Sequence, residues 1–264
     1  MRLSIDHRTV YRFSAPQVRI VQMLRMTPEN SHDQTVARWR IDVDCDAIMR
    51  RGRDGFGNAV TMLYCDGPVT SLEIAVRGEV LTSHSDGVVR GVAEVLPPAL
   101  FLRATPATTP DEGIAAFARG LHDDRTIASL HRIKQALHER FGRDCRRPEA
   151  GLSAGEAFAR EAVTSRDLAH IFAVAARSIG VPARYVSGYS LVDGSHRPTP
   201  HGWAEAHVDG LGWIGFDPWT ARSPEEEYVR VAAALDATGA APVAGSRLGE
   251  GEEELDVDVS VSQA

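Results

Sequence analysis

With 264 residues, of which 43% are hydrophobic, the chain is long enough to bury one large core or two modest ones. Its formal charge of -7 argues against nucleic acid and anionic membrane as main partners, since neither would be attracted electrostatically. Cys45, Cys65 and Cys145 have no regular spacing, so neither a disulfide framework nor a zinc site is expected; the alternating MRLSIDHRTVYRF start and the lack of a span-length apolar run lead to an expected cytoplasmic location.

Residues 1–83 read as an antiparallel β-sandwich. Alternating strands are expected from Leu3 and Ile5 onward, over Arg19 to Arg25, Val36 to Val43, Ala59 to Tyr64 and Ser71 to Val80. Asp54-Gly55 and Gly57-Asn58 supply turn chemistry between them. Residues 84–110 turn polar and carry Pro97, Pro98 and Pro106, which marks a linker. Helical spacing begins near Asp111 with Ile114, Phe117 and Ala118, and returns over Ser129 to Phe141 with Leu130, Ile133, Leu137 and Phe141. A short helix is expected from Ser153 to Arg160, where Ser153 and Glu156 have capping-box spacing. Residues 111–264 thus form a second unit of helices packed on an antiparallel sheet, and the fold class is α+β.

The centre of that unit is a helix opened by Thr164 and Asp167, again at capping-box spacing, with Leu168, Ile171, Phe172, Ala175 and Ile179 on one apolar face. Gly180 and Pro182 close it. Ser165 then lies in the first turn, where unpaired N–H groups and the helix dipole favour negative charge. Taken alone, it is an ordinary residue of a capped core helix. Downstream, residues 201–208 and 213–217 alternate as a hairpin carrying His201 and Asp217. Parity sets a condition on it. A three-residue loop, Asp209 to Leu211, opposes position 203 to 217 and brings His201 within diagonal reach of Asp217; a two-residue loop puts the two on opposite faces unless a bulge intervenes. Ser165, His201 and Asp217 would then form a nucleophile, base and orienter.

These motifs resemble those of the bacterial transglutaminase-like family, within the transglutaminase and papain-like cysteine protease superfamily. The family's C-x-D-x-x-H run is matched by Ser165, Asp167 and His170, its H-A-W-A-E strand by HGWAE at His201, and its G-F-D-P strand end by Gly215 to Pro218. The RSIGVPARYVSGY segment is also family-like, and the LRMTPEN and DGFGN segments resemble the family's N-terminal β-domain. The resemblance implies catalytic roles at positions 165, 201 and 217, acyl transfer on a peptide or glutamine amide, a peptide or protein substrate, and no cofactor. Position 165 departs from the pattern, being Ser where the family has Cys. A thiol titrates near about pH 8.5 and can be drawn to roughly 3–4 in papain-like sites, whereas a hydroxyl reacts only if a base takes its proton in concert. Three readings of Ser165 stay open: a degenerate relative, retained as a peptide- or protein-binding module; a serine-based hydrolase; or replacement of an original cysteine.

Trp203 and Trp219 are candidates for the walls of a substrate cleft, with a hydrophobic core role equally compatible. His170 is read as structural and His207 as structural or exposed, no metal-ligand spacing is present, and the loop holding His196 is placed to cover the site. Beyond the hairpin, Val229 to Ala234 is an expected strand, Ala237 to Gly245 a loop, and EEELDVDVSVSQA a strand with one buried face that can join either sheet. Oligomeric state is left open.

Overall fold

A computed structural model describes residues 1–123, 126–191 and 196–264, with the backbone alone at His196. The first part of the chain is β1 (Arg2–Leu24), β2 (Gln34–Val43), β3 (Ala47–Arg53) and β4 (Ala59–Thr82). After the linker come α1 (Glu112–Leu121), α2 (Thr126–Arg140), β5 (Gly142–Arg143), α3 (Ala154–Phe158), β6 (Ala162–Val163) and α4 (Ser165–Ser178). The remainder is β7 (Ala183–Ser190), β8 (His196–Arg197), β9 (His201–Val208), β10 (Gly212–Phe216), β11 (Tyr228–Ala234), β12 (Val243–Leu248) and β13 (Glu253–Gln263).

The N-terminal layer is one folded sheet. Where the sequence suggests two strands before Arg25 and two more between Ala59 and Val80, β1 and β4 each run on continuously and pair with each other along both halves. Their ladder shifts register between Arg12 and Arg19, opposite Gly67 and Pro68, so the residues that look like breaks become a bulge at which both strands bend. Residues from the two halves meet in one buried cluster that includes Tyr11, Phe13, Leu72 and Ile74 with Ile20, Leu24 and Leu63. β3 is an edge strand absent from the sequence expectation, because almost all of it is exposed and its AIMRRGR sequence does not alternate.

The second layer centres on α4. It packs against β7 and β9 of an antiparallel sheet ordered β10-β9-β7-β11, and against α1, α2 and α3. Ten consecutive residues, Asp167 to Ala176, are buried, so α4 is covered all round and not only on its apolar stripe. Both its ends follow the sequence signals. Thr164 Oγ1 accepts the Asp167 N–H while Asp167 Oδ2 accepts the Thr164 N–H. At the other end Gly180 takes φ 80°, and the N–H groups of Gly180 and Val181 donate to the carbonyls of Arg177 and Ala176, a Schellman closure.

The layers are stitched together. β13 pairs with β1 over Leu3 to Phe13, and β12 pairs with its second half. The C-terminal strand therefore leaves the second unit to complete the first sheet, and the expected loop at 237–245 already enters β12 at Val243. Burial explains this choice, because Val259 and Val261 join Leu3, Ile5 and Val80 in the cluster that contains α4. The side chains of Gln34 and Asn58 satisfy backbone groups of β11 at Arg230 and Ala233. The 84–110 segment is also pinned: Val89 N–H donates to Trp213, Gly215 N–H donates to Gly87, and Arg177 binds the Phe101 carbonyl and Thr108. Among the described residues no helix is long and apolar enough to cross a membrane.

Candidate functional site

The hairpin meets the parity condition. Gly212 pairs with Val208 and Phe216 with Ala204, so the loop is Asp209 to Leu211, and extending the ladder by one step sets position 217 against 203. His201 Nε2 lies 2.8 Å from Asp217 Oδ2, with both side chains buried.

Asp217 is the more heavily built of the two. Its Oδ2 also accepts from the hydroxyls of Thr220, at 3.0 Å, and Tyr228, at 2.8 Å, while Oδ1 accepts the Trp219 backbone N–H at 2.9 Å. Burial raises its proton affinity, but the facing His201 and the hydroxyl donors outweigh burial and hold the carboxyl below its usual range. A carboxylate on Nε2 fixes the tautomer: the neutral ring carries its proton there, and Nδ1 keeps the lone pair. Nδ1 is buried and has no hydrogen-bond partner.

Ser165 is half-buried at the first position of α4. Its Oγ accepts a long hydrogen bond, 3.4 Å, from the N–H of Gly202, the residue after His201. Tyr185 leaves no room for a side chain at Gly202, where a Cβ would lie 2.3 Å from its hydroxyl. The capping box uses the N–H groups of Thr164 and Asp167, leaving those of Ser165 and Arg166 as first-turn donors without a partner among the described residues. The structure thus brings together the helix start, the head of β9 and the end of β10.

The two tryptophans are closer to the second layer than expected. Trp203 stacks beside His201, ring centroids 6.1 Å apart, and meets Tyr228 edge-on; Trp219 has Arg143 and Arg197 over its ring at 5.8 and 5.9 Å. With only 2% and 1% of their surfaces exposed, they pack behind the pair instead of walling an open cleft. Aromatic area of this size is better spent in the core than in water. His170 is structural, its Nε2 accepting the Ala237 N–H, and burial pushes its proton affinity down to about 4. The loop expected to cover the site lies largely outside the described residues, at 192–195; beyond it, β8 joins Val259 and Ser260 of β13.

Sequence reasoning passes over Thr220, Tyr228 and Lys134. Tyr228 has no spacing signal, since it reaches Asp217 from β11, and Thr220 reaches it within the turn, three residues along the chain. Lys134 has one: a lysine inside the apolar stripe of Leu130, Ile133 and Leu137, and only 7% exposed. A second buried charge lies behind the site, where Glu205 Oε2 accepts from Arg184 at 2.6 Å and Oε1 from Arg230 at 2.7 Å. Burial raises the Glu205 carboxyl, but Arg230 and Arg184 outweigh it and draw it down to about 2.

Known proteins resemble the chain along nearly its whole length. Over 277 residues, the chain is 26% identical to an uncharacterised protein of Mycobacterium leprae, covering 99% of both, and over 291 residues 25% identical to one of Mycobacterium tuberculosis, covering 98% of this chain and 91% of the relative. A solved structure of a candidate cysteine protease from Cytophaga hutchinsonii shares the fold with a TM-score of 0.78 at 18% identity, over 99% of this chain and 90% of that one. Residues 3–81 match the bacterial transglutaminase-like N-terminal region and residues 115–218 match the transglutaminase-like superfamily. The chain belongs to the bacterial transglutaminase-like family, within the transglutaminase-like superfamily.

Proposed function

We propose that this protein is an acyl-transfer enzyme acting on amides of peptides or proteins, with Ser165 as nucleophile, His201 as proton carrier and Asp217 as orienter. The observation that carries the reading is the one-sided engagement of His201, whose Nε2 is held by Asp217 while Nδ1 has no partner. Serine needs such a base, because its hydroxyl does not ionise on its own near neutrality. Ser165 Oγ attacks the carbonyl carbon and its proton passes to His201 Nδ1. The oxyanion is met by the Ser165 N–H at the positive end of α4. Collapse expels the amine, which takes the proton from His201, and water or a second amine then attacks the acyl ester. Asp217 stays ionised throughout and stabilises the imidazolium.

A second reading is favoured by position 165 itself: a peptide-binding module that keeps the family's cleft after losing its thiol. Amide hydrolysis of a peptide library by the unaltered protein, Ser165→Cys and His201→Ala separates the two. The enzyme reading expects turnover by the unaltered protein and by the Cys variant, and a loss of about 10²–10⁴-fold on His201→Ala. Turnover by Ser165→Cys alone would sink the serine mechanism and leave the binding module.

A further inference from the structure

β2 and β3 pair with separate halves of β4, residues 74–82 and 59–65, on either side of its bend at Gly67 and Pro68. The two strands diverge from their connection at 44–46, and a groove of about 610 Å³ lies between them. Among the described residues neither strand pairs with anything but β4, so each keeps one free edge. Ala47 packs on the inner cluster of the sheet, as Trp39 and Ile41 of β2 do, and strand alternation carries Met49, Arg51 and Arg53 to that same side. These side chains form the two walls of the groove.

Four arginines, Arg38, Arg40, Arg51 and Arg53, and no acidic residue line this groove, on a chain whose formal charge is -7. The positive charge is local. Arg38 shares Glu79 with Arg2, Arg40 pairs with Asp42 and Arg53 with Glu29, all outside the lining, while Arg51 has no hydrogen bond or ion pair among the described residues. The side chains of Arg38, Arg40 and Arg53 are 74%, 78% and 56% exposed, so these pairs are weak and can be exchanged for a partner's carboxylates. Arginines also guard sheet edges against pairing with other chains, but that role needs neither a second wall nor exposed apolar surface such as Met49, 43% of which is open. We infer that the groove is a docking site for an extended acidic segment of a partner protein, which adds to the free edge of β2. The segment's backbone continues the ladder, its aliphatic side chains cover Met49, Trp39 and Ile41, and its carboxylates meet the guanidinium forks of both strands.

The test is fluorescence anisotropy of the full chain with a labelled peptide of glutamates interrupted by valines. Binding is expected, and it should weaken as salt is raised. Arg40→Glu and Arg51→Glu, one from each wall, should each weaken it about tenfold, since each sets like charges against one another. Both residues are exposed, so the variants should fold. Arg103→Glu reverses an exposed linker charge outside the groove and should leave the affinity unchanged. A strand added at an edge uses the backbone donors of alternate residues only, so N-methylation of the peptide should abolish binding in one of its two phases and spare it in the other. No binding by the unaltered protein, undiminished binding by either groove variant, indifference to N-methylation in both phases, or tighter binding of a single-stranded oligonucleotide than of the peptide would overturn the inference. Turnover plays no part in the measurement, so its outcome is separate from that of the enzyme reading.

Discussion

A carboxylate with no exposed surface persists only when donors fill its lone pairs, and Asp217 is filled from His201, Trp219, Thr220 and Tyr228. Those donors decide which His201 nitrogen carries the proton, and through it which nitrogen can act as a base. Tyr228→Phe removes one donor while keeping the ring, and is expected to cost about 1–3 kcal/mol in urea unfolding. An unchanged midpoint would mean that Oδ2 is satisfied without the hydroxyl. At this scale the side chains of the candidate site were legible from residue type and spacing, whereas its supporting shell was not. Ser165, His201 and Asp217 sit at positions that local rules describe: a helix start, a strand head and a strand end. Tyr228 owes its place to a strand pairing that no local pattern records, Thr220 to the turn three residues after Asp217, and the burial of Trp203 and Trp219 follows from tertiary packing.

At the scale of elements, β7, β9, β11 and the linker are tied through Glu205, which binds Arg184 and Arg230 while Arg184 also grips Glu94 in a two-pronged pair at 2.8 and 2.9 Å. Glu205→Gln leaves two guanidinium groups without their shared carboxylate and is expected to destabilise by about 3–5 kcal/mol. The pH dependence has a definite sign. The folded carboxyl titrates at about 2, below its ordinary 4.5, so its stabilisation is complete above about pH 4.5 and is lost as pH falls toward 2. Denaturant midpoints across that interval should therefore fall less steeply in Glu205→Gln than in the unaltered protein. A variant as stable as its parent at pH 7 would contradict the assignment. α4 was readable in the sequence because its cap, apolar stripe and closing glycine agree with one another. β1 and β4 read as two strands each, since Pro16 and Gly67-Pro68 are ordinary stop signals, and here the facing strand bends at the same level and the ladder continues.

At the scale of the whole molecule, the two units share their strands and their core. β13 is the last element of the chain and lies beside the first, so the sheet that begins folding at Leu3 is completed only when Val259 and Val261 arrive. An alternating segment states that one face is buried, not against which sheet, and this is why its destination was open in the sequence. The consequence for function is that the helix bearing Ser165 and the strands bearing His201 and Asp217 are held from both sides, by the helices of the second unit and by the folded N-terminal sheet. A site so braced should be preorganised for the proton transfer proposed for it. The most direct measurement is covalent labelling with a fluorophosphonate, located by mass spectrometry of the digested protein. The account predicts a single stoichiometric adduct on Ser165 that disappears in His201→Ala; no adduct on Ser165, or one that His201→Ala leaves undiminished, would contradict it.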